Sequence, residues 1–156
     1  MYKTYYASPI GIIEIKGNEH AVRSILFSDR KDDEDLQIPA LLQKCRDELD
    51  AYFKGSLKKF TFKMEPEGTK FQKSVWNALT KIPYGKTASY KEIAQMINNV
   101  KAVRAVGNAN SKNPLAIAVP CHRIIGSNGN LTGYAGGLWR KEWLINHEKN
   151  TVNKRL

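Results

Sequence analysis

The chain has 156 residues, with 25 Lys+Arg against 15 Asp+Glu and a formal charge of +10. That length allows one medium domain or two small ones. No apolar run approaches the ~20 residues that cross a bilayer, and Met1–Tyr6 has no apolar core of signal-peptide length. The protein is therefore expected to stay inside the cell, cytoplasmic, or nuclear if eukaryotic, with no membrane partner. Two cysteines, Cys45 and Cys121, make no disulfide scaffold, and with three scattered histidines they supply no tetrahedral zinc set, so no metal site is expected.

Residues 2–28 read as β structure. The run Tyr5–Ile15 alternates β-branched and aromatic residues around a Ser8-Pro9-Ile10-Gly11 turn, Gly17-Asn18 offers a second turn, and Val22–Phe27 gives a third strand. Residues 29–35 form a charged loop. Leu41, Leu42, Cys45, Leu49 and Tyr52/Phe53 recur at i, i+3/i+4 spacing and predict a helix over 38–53 that Gly55 ends. Cys45 falls on its apolar face. Phe60-Thr61-Phe62 reads as a short strand, and His20 as a surface residue.

Met64-Glu65-Pro66-Glu67-Gly68 has the composition of a linker, so the chain divides into domains at 1–63 and 64–156. The charge divides there too. Residues 1–63 hold 11 basic and 10 acidic residues, whereas residues 64–156 hold 14 and 5. An acid-poor, basic second half suits a polyanion, most commonly nucleic acid.

Phe71, Val75, Trp76 and Leu79 predict a helix over 69–81, broken by Ile82-Pro83-Tyr84-Gly85-Lys86. Ser89-Tyr90-Lys91-Glu92 is a capping-box pattern opening a helix through Ile97. Asn98-Asn99 makes a turn, and Ala102, Val103, Val106 and Ala109 form a second apolar stripe. Two short helices about a tight turn are a helix-turn-helix pattern. The second helix carries small residues and few base-reading side chains. It suits close, sequence-tolerant docking, with the minor groove as the candidate face.

Ile117-Ala118-Val119 reads as a β run feeding Pro120-Cys121-His122-Arg123, with Ile124-Ile125 leaving it. Pro120 suits a strand end. A thiol held beside His and Arg is in surroundings that lower a cysteine pKa. Ser127-Asn128-Gly129-Asn130 is a hairpin-turn signal that would supply a wing, and Tyr134-Ala135-Gly136-Gly137-Leu138 is a glycine loop. In the final helix Glu148 shares the face of Leu144; an acid on a core-facing face needs a partner, and His122 is the proposed one.

Pro120-Cys121-His122-Arg123-Ile124-Ile125 resembles the active-site motif of the methylated-DNA–protein-cysteine methyltransferases (O6-alkylguanine-DNA alkyltransferases). Lys101–Gly107, Asn113-Pro114 and the glycine loop also resemble that family in order, from about Lys70 to Glu148. The resemblance implies an α/β (α+β) fold, with a small ribonuclease-H-like N-terminal domain and a winged helix-turn-helix C-terminal domain. It implies a monomer that takes double-stranded DNA bearing O6-alkylguanine, flips the base out, and moves the alkyl group irreversibly to Cys121 without a cofactor. His122 and Glu148 would activate the thiol, and Tyr90 would protonate the leaving base. Arg104 would fill the gap left by the base, with Ala105, Gly107 and Arg123 on the DNA face. Tyr134, Ala135 and Ile124 would line the substrate pocket, and Asn113 would be a structural hinge. Better-known members have Ser at position 135; Ala135 keeps only the backbone donor. Related proteins that bind such lesions without repairing them have Trp where this chain has Cys121. A non-enzymatic DNA-binding regulator leaves the Pro-Cys-His-Arg run unexplained. A thiol hydrolase would want a sequence-distant His and would turn over.

Overall fold

The computed structural model describes residues 1–154, so the last two residues of the expected 64–156 domain lie outside it. The chain forms two compact units, Met1–Glu67 with Pro114–Ala118, and Gly68–Asn113 with Val119 onward.

In the first unit β1 (Tyr2–Ser8), β2 (Gly11–Gly17) and β3 (Val22–Ser28) form an antiparallel meander in the order β1-β2-β3. Pairs such as Tyr5↔Glu14 and Ile13↔Phe27 set its register, with an irregularity at Lys16/Gly17. Ile13, Ile15 and Gly17 alternate inward along β2, the period-2 pattern of a sheet with one covered face. Helix α1 (Ala40–Phe53) packs on the sheet and buries Leu42, Cys45, Leu49 and Tyr52. Cys45 is thus core, and burial pushes its thiol far above the ordinary range.

The expected strand at 60–62 does not form. Thr61 donates its N–H to Glu48 Oε1 at 2.7 Å and its hydroxyl to the same carboxylate, while Phe60 packs on the Tyr52 and Phe62 rings. A side chain on α1 therefore satisfies the backbone a sheet would have claimed. Edge pairing falls instead to isolated parallel bridges, Val22↔Met64 and Ile25↔Leu115.

The second unit holds α2 (Lys70–Leu79), β4 (Ala88–Ser89), α3 (Tyr90–Met96), α4 (Val103–Ser111), a 3-10 turn (Cys121–Arg123), β5 (Ile124–Ile125) and α5 (Leu138–Asn153). Capping boxes start both α2 (Thr69/Gln72) and α3 (Ser89/Glu92); each closes two otherwise open backbone donors. The α3–α4 turn passes through Asn98 at φ 57°, a left-handed position Asn tolerates. Ile93, Ala94, Val106 and Ala109 seal the helix pair. The Trp76 indole N–H donates to the Ala109 carbonyl at 2.9 Å, tying α2 to α4.

Two local expectations around the cysteine are corrected. Residues 117–119 are not a strand: Ile117 sits at φ 70°, outside any extended geometry, and the Ala118 and Cys121 N–H groups bond only two residues back, to Ala116 and Val119. The 127–130 turn does form, with the Gly126 N–H on the Asn130 carbonyl at 2.9 Å. No second strand follows it among the described residues; β5 pairs in parallel with β4 instead.

Candidate active site

Cys121 begins the 3-10 turn directly after Pro120 and is buried. The same turn delivers His122, fully covered at 0%, and Arg123 at 6% exposure. From α5, Glu148 meets both, itself 1% exposed. Its carboxylate lies 2.6 Å from His122 Nε2 and accepts from Arg123 Nε at 2.8 Å and Nη2 at 3.1 Å. The Gly85 N–H donates a fourth hydrogen bond at 3.1 Å. Gly85 has φ +79°, and an added Cβ would sit 2.9 Å from Val152 Cγ2, so the Pro/Gly turn after α2 can reach the carboxylate only with glycine there. Arg123 also donates to the Ile82 carbonyl at 2.7 Å and lies over the Tyr84 ring.

This geometry moves Arg123 from the DNA face to the interior. Its guanidinium is spent on Glu148 and Ile82, so it anchors the carboxylate and cannot reach a phosphate. The planar fork matches a carboxylate bidentately.

The electrostatics follow. Burial alone would raise Glu148, but the hydrogen bonds from His122 and Arg123 overcome it and hold the carboxyl well below the usual range. Burial pushes His122 down against the pull of Glu148. An ionised carboxylate only accepts, so His122 Nε2 carries the proton. A neutral ring then has its lone pair on Nδ1, which is buried and has no hydrogen-bond partner among the described residues. Glu148 thus sets the His122 tautomer, with the lone pair on Nδ1.

The sequence surroundings that would lower the Cys121 pKa are outweighed. Burial pushes the Cys121 thiol up to about 11, a rise that Asn113 and the charge of Lys141 only partly oppose. Burial thus favours the neutral thiol over the thiolate.

Asn113 is buried and donates from its side chain to the Val119 carbonyl at 2.8 Å, bracing the turn before Pro120. Tyr90, half-buried at the start of α3, pairs its phenol with the Thr132 hydroxyl at 2.9 Å. A Cβ added at Gly107 would lie 3.6 Å from the Tyr90 ring. Arg104 and Ala105 stand on the exposed face of α4, apart from the buried cluster. Tyr134 is half-buried with its phenol oxygen covered, and Ala135 is exposed. Ile124, expected to line the pocket, is completely buried in β5, paired with Ala88.

Three site neighbours were not singled out from the sequence. Lys141 is 0% exposed; it donates from Nζ to the Thr132 carbonyl, and burial lowers it to about 8. Asn110 is buried on α4 and points its amide N–H toward the Cys121 carbonyl at 3.5 Å. Thr132 joins Tyr90 to Lys141. A signal existed for two of them. Lys141, Leu144, Ile145 and Glu148 fall at i, i+3, i+4 and i+7, and Val106, Ala109 and Asn110 at i, i+3 and i+4, so each polar residue lies on a core face.

Residues 1–66 match the 6-O-methylguanine DNA methyltransferase ribonuclease-like domain, and residues 70–150 match the DNA binding domain of the same family. A methylated-DNA–protein-cysteine methyltransferase of Methanosarcina acetivorans is 50% identical over 95% of this chain and 98% of its own. One from Haemophilus influenzae is 42% identical over 96% and 87%. The crystal structure of Mycobacterium tuberculosis O6-methylguanine methyltransferase superposes with a TM-score of 0.87 at 41% identity, covering 96% of this chain and 93% of that one. The same organism's OGT in complex with DNA gives 0.89 at 41% identity, covering 97% and 94%. The chain belongs to the 6-O-methylguanine DNA methyltransferase family.

Proposed function

We propose that this protein repairs O6-alkylguanine in double-stranded DNA by moving the alkyl group to Cys121, once per molecule. The observation that carries the reading is the buried Arg123–Glu148–His122 network, which leaves a neutral base in the residue next to the thiol. The exposed face of α4, with Arg104, Ala105 and Gly107, docks on DNA. Extruding the base costs a few kcal/mol, and Arg104 offsets that by filling the stack. His122 Nδ1 takes the Cys121 proton through a water. The sulfur attacks the alkyl carbon, the carbon–oxygen bond breaks, and its electron pair goes to the guanine oxygen. Tyr90 donates to the ring as that charge builds, the Ala135 N–H faces the oxygen, and Tyr134 covers the base. Preorganised donors of this kind are worth several kcal/mol. The proton that Tyr90 gives to the ring is restored from the His122 imidazolium through water, so the balance closes without a cofactor or metal. The thioether product resists water, so the protein is consumed.

We place the boundary between the 1–63 and 64–156 domains in the 64–68 linker, which the division of the compact units at Glu67/Gly68 supports, although Pro114–Ala118 packs with the first unit. Among the described residues no helix is long and apolar enough to cross a membrane, and we place the protein as a monomer inside the cell, in the cytoplasm or a nucleus.

The test is intact-protein mass after incubation with excess duplex bearing O6-methylguanine. One adduct of about 14 Da, the mass of one methylene, should map to Cys121 and saturate at one per chain. Cys121→Ser should bind the duplex and stay unmodified. Wild type that binds the lesion without changing mass would leave a binding module and refute transfer.

A further inference from the structure

Thr132 lies in the segment between the 127–130 turn and the glycine loop, and nothing in the reaction just described uses it. It is nonetheless tied at two points. Its hydroxyl pairs with the Tyr90 phenol at 2.9 Å, and its carbonyl accepts from Lys141 Nζ. The phenol also lies 3.5 Å from that carbonyl, too far to compete with the hydroxyl. The Tyr90 ring rests beside Gly107 of α4. One exposed threonine therefore links the start of α3 to the first turn of α5, through the hydroxyl that is to serve the substrate.

We infer that Thr132 is a positioning residue for Tyr90, and that their two hydroxyls act as a pair of rotors. In the resting protein the phenol donates to Thr132 Oγ1. When the extruded base arrives, the phenol proton turns to the base and the Thr132 proton turns to the phenol oxygen. No covalent bond changes; each oxygen keeps its own hydrogen. A phenol that accepts one hydrogen bond is a stronger donor in the other, so the exchange strengthens Tyr90 when the leaving oxygen gains charge. Lys141 fixes the Thr132 backbone and hence the direction of its hydroxyl. A threonine suits this better than a longer polar residue, because its β-branch restricts the hydroxyl to few rotamers.

This inference rests on the transfer reaction proposed above. The test is single-turnover methyl transfer by wild type, Thr132→Val, Thr132→Ser, Tyr90→Phe and the Thr132→Val/Tyr90→Phe double variant, with Kd for lesion duplex measured alongside. Thr132→Val keeps the shape and loses the hydroxyl; its side chain is exposed, and a thermal melt confirms the fold. The transfer rate at saturating DNA should fall about 3- to 10-fold, one net hydrogen bond's worth, with Kd within about twofold of wild type. Thr132→Ser should recover most of the rate. In the Tyr90→Phe background Thr132→Val should cost nothing further. Wild-type transfer by Thr132→Val overturns the inference, as does a Thr132→Ser as slow as Thr132→Val, or full additivity with Tyr90→Phe. If wild type itself transfers no methyl group, the proposed function has failed instead.

Discussion

Glu148→Gln removes one charge and almost no volume from the centre of the site. The carboxylate accepts four hydrogen bonds, from His122, twice from Arg123, and from the Gly85 N–H. A glutamine has one acceptor oxygen and one donor nitrogen. The nitrogen opposes an Arg123 donor in either orientation, Nε at one oxygen's place and Nη2 at the other's, beside a buried and now unpaired guanidinium. If it faces His122, Nε2 must become the acceptor and the ring proton moves to Nδ1. Breaking a buried ion pair by removing one partner costs about 3–5 kcal/mol. The retained shape and remaining acceptor favour the lower end. At roughly 2–4 °C per kcal/mol for a chain of this length, the melting temperature should drop by about 6–12 °C. Activity should suffer beyond stability: with the nitrogen on His122 the Nδ1 lone pair is lost, and in either orientation no carboxylate charge stabilises the imidazolium that forms when Nδ1 takes the Cys121 proton. Loss of a general base is worth about 10²–10⁴ in rate. The assay pairs a thermal melt with single-turnover methyl transfer well below the variant's melting temperature. A variant that melts within 2 °C of wild type (roughly 1 kcal/mol or less) and transfers within about twofold would refute both the anchoring and the tautomer argument.

The pH dependence of stability carries one sign. Glu148 is depressed in the folded state, so its contribution is present above the unfolded carboxylate range near 4.3 and is lost as pH falls from there. His122 is depressed too, so the unfolded chain takes up a proton below about pH 6.5 that the folded chain refuses. Urea midpoints should therefore decline from pH 7.5 to 5 and more steeply below about pH 4.5; a midpoint that rises on acidification would mean that the buried imidazole is charged. Arg104→Ala removes an exposed side chain and should leave the melt within about 0.5 kcal/mol of wild type. Transfer from a fully paired duplex should slow at least tenfold, and transfer from single-stranded lesion DNA much less, because no stack needs filling there. Equal slowing on both substrates would assign Arg104 to phosphate binding instead.

The elements that rest on local chemistry were legible in the sequence. The capping box at Ser89, the apolar stripes of α1 to α4, the Asn98 turn and the pairing of Glu148 with His122 all follow from spacing of three or four residues, or from the cost of burying an unpartnered acid. The resemblance of Pro120–Ile125 to a known motif named the reactive thiol. Other features depend on groups far apart in the chain. Arg123 looked like a surface cation because an arginine next to a reactive cysteine reads the same whether it faces a phosphate or a carboxylate; only the approach of α5, 25 residues on, spends it on Glu148. The thiol follows the same rule: its neighbours in sequence offer stabilising charge, whereas the packed unit supplies desolvation first. Glu48 of α1, 13 residues away, claims the backbone at Thr61 that would otherwise extend a sheet. Sequence patterns determine where helices begin, end and turn their apolar faces. Which charges are buried, and which backbone groups remain for strands, depends on long-range partners that only the tertiary structure brings together.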